Sequence, residues 1–271
     1  MDIASTDKQR IEQQYHDNWA KSIDVGSLLV REAFEAVTAA ENRYAFERLS
    51  PVQGKTMLDL GCGAGETSVY FALQGAQVTA TDISEEMLAV ARKLAAQHGV
   101  ALRTLAAAAE ALPFPDGSFD LVFGNGVLHH VELVPALKEI RRVLKPGGRA
   151  AFVDPLKHNP LIHIYRWLAS DNRTPTEKPL GFDDFARIKT VFPRWSHREF
   201  WLTTLWIFLH MLLVERLHPG RVRYWKKIIE DARRYSALYR RFRRIDDWIL
   251  SRAPWLGRYC WNMVLVVEKE K

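Results

Sequence analysis

A chain of 271 residues with 48% hydrophobic content is long enough for one α/β domain plus an elaboration, and too apolar for wholesale disorder. Its two cysteines, Cys62 and Cys260, exclude a disulfide framework and a cysteine metal cluster, and suit a reducing compartment. The net charge of +6 hides a division: residues 1–155 hold 15 Lys and Arg against 20 Asp and Glu (−5), whereas residues 156–271 hold 23 against 12 (+11).

Met1 to Arg10 is polar and lacks an apolar signal-peptide core, so the expected location is cytoplasmic. Residues 7–48 read as helices: Tyr15, Trp19 and Ile23 recur at intervals of four, and Leu28 to Ala45 is rich in helix formers. Ser50-Pro51 ends that segment. Thr56 to Leu60 reads as a buried strand, followed by Gly61-Cys62-Gly63-Ala64-Gly65 and a helix over Glu66 to Gln74. Glycines in such a turn let the backbone bend sharply and approach a bound molecule. The second strand, Gln77 to Ile83, ends in Asp82, whose carboxylate can accept hydrogen bonds from both ribose hydroxyls of an adenosine. Ser84 caps a helix over Glu85 to His98 that stops at Gly99. Leu102 to Ala107, Phe119 to Gly124 and Arg149 to Asp154 read as the third to fifth strands, with a helix over Pro135 to Leu144 between the last two. Glycine turn, helix, strand and acid make half of a doubly wound α/β domain that holds a nucleoside at the carboxyl ends of its strands.

Two cofactors compete for that half-domain. A dinucleotide needs Gly-x-Gly-x-x-Gly spacing, with the helix N-terminus facing a pyrophosphate. Here the spacing is Gly-x-Gly-x-Gly, flanked by Asp59 and Glu66. Two carboxylates repel a diphosphate and suit a ligand carrying an amino group and a sulfonium. The electrostatics favour S-adenosylmethionine.

Over residues 56–155 the chain resembles the class I S-adenosylmethionine-dependent methyltransferases, in the small-molecule branch that includes quinone, lipid and natural-product methyltransferases. The residues that carry this are Leu58-Asp59-Leu60-Gly61-Cys62-Gly63-Ala64-Gly65, Thr81-Asp82-Ile83-Ser84, the run Glu110 to Asp120, Asn125-Gly126-Val127-Leu128-His129-His130-Val131 and Arg142 to Gly148. The resemblance implies a seven-stranded, mostly parallel Rossmann-like sheet, with an N-terminal helical lid over residues 1–50 and a core over 51–155. Residues 156–271 would complete the sheet on the acceptor side. It implies a cofactor set of Asp59, Gly61, Cys62, Gly63, Gly65, Asp82, Ile83, Ala109, Glu110 and Asn125. Asp59 would lie near the methionine amino group, Gly61 and Gly63 along the methionine, Ile83 at the adenine face and the Ala109 backbone at its edge. Many relatives place an aspartate before the alanine of the Ala-Glu pair to bind the adenine amino group. This chain has Ala108 there, so backbone groups and packing would replace that bond. Cys62 reads as a small filler in the turn.

After Asp154 comes a loop, Pro155 to Pro160, where acceptors enter this fold, then a helical stretch over Phe182 to Phe192 and a sixth strand over Arg194 to Trp201. Trp261 to Glu268 is the last strand. Residues 203–258 form an insertion: Phe200 to Val214 is largely apolar but short of the ~20 residues that span a membrane, and a tract dense in arginine and aromatic residues follows. Such a tract fits either a helical cap with a buried apolar face or an element lying on an anionic membrane surface at the inner face. Nucleic-acid binding ranks third, since no recognised module accompanies the charge.

Methyl transfer is an in-line displacement that needs alignment and, for many acceptors, a base. His129 and His130 follow the fourth strand and are candidate bases, or else hold loop geometry. His158 and His163 sit in the acceptor region as further candidates, with Asp154 placed to orient a histidine or to cap the next turn. Tyr15 is either a lid residue over the site or a packing residue. The polar loop 171–179 would close over substrate or simply connect. No spacing of a dedicated metal site appears. Aromatic richness after residue 160 points to an apolar, aromatic or lipid-like acceptor. The alternatives are a different group transfer from the same cofactor, or a membrane-associated cofactor-binding protein without catalysis.

Overall fold

The computed structural model describes residues 7–169, 174 and 176–271. Of the polar loop expected over 171–179, residues 171–173 and 175 lie outside them.

Helices α1 (Asp7–Ala20), α2 (Glu32–Glu35) and α3 (Ala40–Leu49) precede strand β1 (Thr56–Leu60). The helical reading of residues 7–48 was too continuous. Asp24 accepts a bond from the Gly26 amide at 3.1 Å and starts a 3-10 turn over Val25–Ser27, which breaks the run. Next come α4 (Glu66–Leu73), β2 (Gln77–Asp82), α5 (Glu85–Gln97), β3 (Arg103–Ala106), β4 (Phe119–Asn125), α6 (Leu133–Val143) and β5 (Leu144–Pro155). The remaining elements are α7 (Pro160–Leu168), α8 (Phe185–Val191), β6 (Arg194–Phe200), α9 (Trp206–Leu213), α10 (Tyr224–Glu230), α11 (Ala232–Arg252) and β7 (Asn262–Glu268).

The seven strands form one sheet in the order β3-β2-β1-β4-β5-β7-β6, in which only β7 runs against its neighbours. This is the doubly wound, mostly parallel architecture expected. Its central strands are covered on both faces and carry continuous buried runs: Met57 to Leu60 on β1 and Met263 to Val267 on β7. The covering helices pack through one apolar stripe each. On α6 that stripe is Leu133, Ala136, Leu137, Ile140 and Val143, at helical spacing. Chain order reverses between β1 and β4, so a crevice opens where the loops after these two strands diverge.

Residues 203–258 lie between β6 and β7, and Asp246 of α11 fixes them. Its buried carboxylate accepts from the amides of Leu202, Thr203 and Thr204 and from both threonine hydroxyls. Much of the apolar run Phe200 to Val214 points inward: Phe200, Trp201, Leu205, Ile207, Phe208 and Met211 are buried. Tyr224, Ile228, Tyr235 and Tyr239 join them from α10 and α11. Trp206, Leu213 and Val214 remain exposed. Among the described residues no helix is long and apolar enough to cross a membrane.

Candidate active site

The glycine turn divides its labour three ways. All three glycines have positive φ, a region that costs an L-residue roughly 1–2 kcal/mol. A Cβ on Gly61 would stand 2.8 Å from Val127, so Gly61 lets the loop after β4 close in. A Cβ on Gly65 would meet Ala91 of α5 at 2.6 Å, so Gly65 serves helix packing. Gly63 faces open space, with nothing within 4 Å. Of the three, Gly61 and Gly63 line the cleft and Gly65 does not, which places Gly65 behind the site rather than in it.

Asp82 sits at the end of β2, buried, and braces this turn. One carboxylate oxygen accepts from the Gly63 amide at 2.9 Å and the other from the Ser84 amide at 2.9 Å. Burial pushes its pKa up, against the pull of His16 and of these amides. Asp59, on β1, is also buried and accepts from Ser68 Oγ at 2.5 Å. Burial and the nearby Asp82 charge push the Asp59 carboxyl up to about 7. Glu66 is raised too, by burial, and accepts the Leu29 amide at 3.4 Å. Two buried acids and a third beside them are poised to ionise against an incoming cation. Cys62 lines the turn, and burial pushes its thiol far up, which leaves it inert. Ile83, Ala109, Glu110 and Asn125 line the same cleft. Glu110 is tied down by the Glu132 amide and by Gln9, and Asn125 donates to Asn42 Oδ1 at 3.3 Å.

The cleft encloses about 850 Å³, within the range of ligand sites, and runs on to the histidines. His129 is buried, and its Nδ1 lies 2.8 Å from Asp154 Oδ1, which also accepts the His129 amide at 3.2 Å. Asp154 therefore orients a histidine. Burial pushes its carboxyl up to about 7, against the amides of His129 and Leu128. His130 is 3.0 Å from Glu12 on α1. Burial raises Glu12, but bonds from His130, Thr176 and Thr174 outweigh it and bring its pKa down to about 2. His158 stands apart from the cleft lining, 3.9 Å from Asp183, and His163 is exposed on α7. Neither meets the other candidates: His158 lies in the loop before α7, and His163 sits on the outward face of that helix.

Several cleft residues escaped the reading of the sequence. Helix α1 lies across the cleft, held by Ser84 Oγ to Asp17 at 2.5 Å and Lys8 to Glu132 at 3.2 Å. Its Glu12, His16 and Trp19 line the cleft beside Tyr15. These four residues fall at i, i+3, i+4 and i+7, one helical face, a signal visible only when polar residues are counted with apolar ones. Glu41 on α3 is buried and accepts from Trp201 Nε1 at 2.9 Å and Asn262 at 3.3 Å. The folded chain also gathers two sets of side chains with metal-ligand chemistry, Glu12-His16-His130 and His129-His130-Glu177, each within 4.8 Å. Their members come from three separate stretches, so sequence spacing held no trace of them.

Residues 58–152 match the family described as "Methyltransferase domain". Over residues 58–152 the chain carries a methyltransferase domain. The chain is 35% identical over 170 residues to a malonyl-[acyl-carrier protein] O-methyltransferase of Pseudescherichia vulneris, covering 62% of each protein. It is 36% identical over 137 residues to a ubiquinone biosynthesis O-methyltransferase of Pseudomonas paraeruginosa, covering 49% of this chain and 58% of that one. Among solved structures, a Haemonchus contortus phosphoethanolamine N-methyltransferase 2 with bound S-adenosyl-L-methionine matches with a TM-score of 0.61 at 22% identity, over 99% of this chain and 61% of that one. That likeness is one of fold. The alignments span 24% to 62% of the curated relatives' own length. That solved neighbour holds S-adenosyl-L-methionine, and the cleft here fits such a molecule: an open glycine for the backbone to approach, an acid at the β2 tip and buried acids beside the turn.

Proposed function

We propose that the chain transfers a methyl group from S-adenosylmethionine to a small acceptor with an apolar or aromatic body, with His129 as proton acceptor. The observation that carries this is the continuity of one cleft, which joins Gly63 and Asp82 to the His129–Asp154 pair. Asp59, Gly61, Gly63, Asp82, Ile83, Ala109, Glu110 and Asn125 hold the cofactor, which supplies an electrophilic methyl group when bound. The acceptor lies against Tyr15, Trp19 and Tyr165, whose rings form flat walls. With Nδ1 engaged by Asp154, Nε2 of His129 is the atom that takes the acceptor's proton. Histidine is the side chain best matched to that task near neutral pH. Helix α1 excludes water from the reacting groups.

The test is formation of S-adenosylhomocysteine from S-adenosylmethionine across a panel of phenols, quinones, fatty-acyl acids and amines. Release of a different cofactor product would move the reading to another group transfer. A protein that binds the donor and turns over no acceptor class would end it.

A second reading concerns where the acceptor is met. Ile164 and Trp167 on α7 and Leu213 and Val214 at the end of α9 are exposed, beside an apolar hollow lined by Leu161, Leu168, Leu209 and Leu212. The exposed Arg216 and Arg221 follow in sequence. Apolar side chains next to cations suit an anionic lipid surface. Because the insertion's tyrosines are part of the core, deletion would unfold it, and point changes are the cleaner probe. Trp167→Ser with Leu213→Ser should cut sedimentation with phosphatidylglycerol vesicles at least several-fold. Equal sedimentation of both proteins rejects a lipid contact here.

A further inference from the structure

Arg223 stands between the basic insertion and the cleft, immediately before α10. Its guanidinium lies 3.9 Å from the centre of the Trp19 ring and lines the cleft. Tyr15 and Tyr165 are within electrostatic reach of it, and burial lowers its pKa. An arginine nonetheless keeps its charge at any working pH. Neighbouring cations have acids of their own: Lys226 faces Glu230 at 3.8 Å and Lys227 faces Asp231 at 2.9 Å. Among the described residues no carboxylate lies within ion-pair distance of Arg223. The cleft's acids are engaged elsewhere: Glu12 by Thr174, Thr176 and His130, Asp82 by Gly63 and Ser84, and Glu41 by Trp201 and Asn262.

A half-buried guanidinium stacked on an indole has lost part of its water without gaining a counter-charge, an arrangement that costs free energy until an anion arrives. The planar fork is suited to a carboxylate or phosphate, which it can grip through two parallel bonds. Burial pushes the pKa of His16 down, and the Arg223 charge adds to the effect.

We infer that Arg223, stacked on Trp19 in the cleft that Tyr15 and Tyr165 also line, is an anion-recognition site for a ligand carboxylate or phosphate. This rests on the cleft being the methyl-transfer site. Two ligands can bring that anion: the donor, through its amino-acid carboxylate, or the acceptor, through an acidic group of its own.

The experiment compares the wild type with Arg223→Gln and Arg223→Lys by calorimetry. The three titrants are S-adenosylmethionine, 5′-methylthioadenosine (which lacks the carboxylate) and inorganic phosphate in the presence of saturating methylthioadenosine. If the donor supplies the anion, Arg223→Gln weakens S-adenosylmethionine on the order of 10- to 100-fold, and Arg223→Lys less. If the acceptor supplies it, donor affinity is unchanged, and phosphate binding seen with the wild type disappears in Arg223→Gln. Methylthioadenosine binding at wild-type strength shows that the variant is folded in both arms. A wild type that binds the donor, with a variant indifferent in both arms, overturns this inference alone. A wild type that binds neither donor nor methylthioadenosine overturns the reading of the cleft with it.

Discussion

The two walls of the cleft are built on opposite principles. The donor wall, β1 to β4 with their loops, works through backbone: amides of Gly63 and Ser84, the missing side chains of Gly61 and Gly63, and acids that brace the turn. Its residues are close in sequence, and the segment that carries them is acidic. The acceptor wall, α1, α3 and the insertion, works through side chains: Glu12, Tyr15, Trp19, Glu41 and Arg223, drawn from the two ends of the chain and including its basic half. A wall made of backbone is set by the fold and tolerates little change. A wall made of side chains can be rewritten without disturbing the sheet, which is how one fold takes many acceptors.

The largest effect should come from removing the brace of the donor wall. Asp82→Ala leaves the Gly63 and Ser84 amides without their acceptor and removes the residue proposed to hold the ribose. S-adenosylmethionine binding should fall below detection by calorimetry, while secondary structure by circular dichroism stays intact. Retained affinity would mean that the acceptor wall holds the donor and that the two walls do not divide the work in this way.

Next in size is the base. His129→Ala should lower kcat by about 10²- to 10⁴-fold with donor affinity little changed, and Asp154→Asn should follow in the same direction. Loss of donor binding in either variant would place the pair in the donor wall and turn it from chemistry to scaffolding.

The same contrast explains what could be read from the chain alone. The glycine turn, Asp82 and the run of strands were legible because a backbone site needs particular residues at fixed local spacing. The break after Ala20 was missed, since a local bond from Asp24 outweighed the helix formers downstream. His158 was a reasonable candidate by position, but the loop before α7 holds it beside Asp183, apart from the cleft lining. Glu41, Arg223 and the Glu12-His130 pair left no trace, because their meeting depends on how α1, α3 and the insertion dock. Docking is set by apolar packing that is spread over many residues and specifies no motif.

A moderate effect separates two glycines of one turn. Gly65→Ala drives a Cβ into the Ala91 backbone at 2.8 Å as well as straining φ, and should cost about 2–4 kcal/mol. Gly63→Ala has open space and should cost only about 1 kcal/mol, yet weaken the donor more than Gly65→Ala does per degree of Tm lost. Thermal unfolding and donor calorimetry on the two variants would show this; equal ratios would erase the distinction between packing glycine and cleft glycine.

The smallest effect tests the electrostatics of the donor wall. Burial holds the Asp59 carboxyl at about 7, above its ordinary 3.8, so folding favours the neutral form. The stability tied to this group is complete below about pH 4 and is lost as pH rises through about 7. Asparagine stays neutral and can still accept from Ser68, so Asp59→Asn should match the parent at about pH 4 and unfold a few degrees higher at about pH 8. Donor affinity should move the opposite way. A bound ammonium favours the ionised acid, so the parent should bind more tightly as pH climbs towards about 7, whereas the variant should be weaker and flat across that window. A parent without that slope would mean that Asp59 does not face the ligand's charge, and the donor wall would then select its cofactor by shape alone.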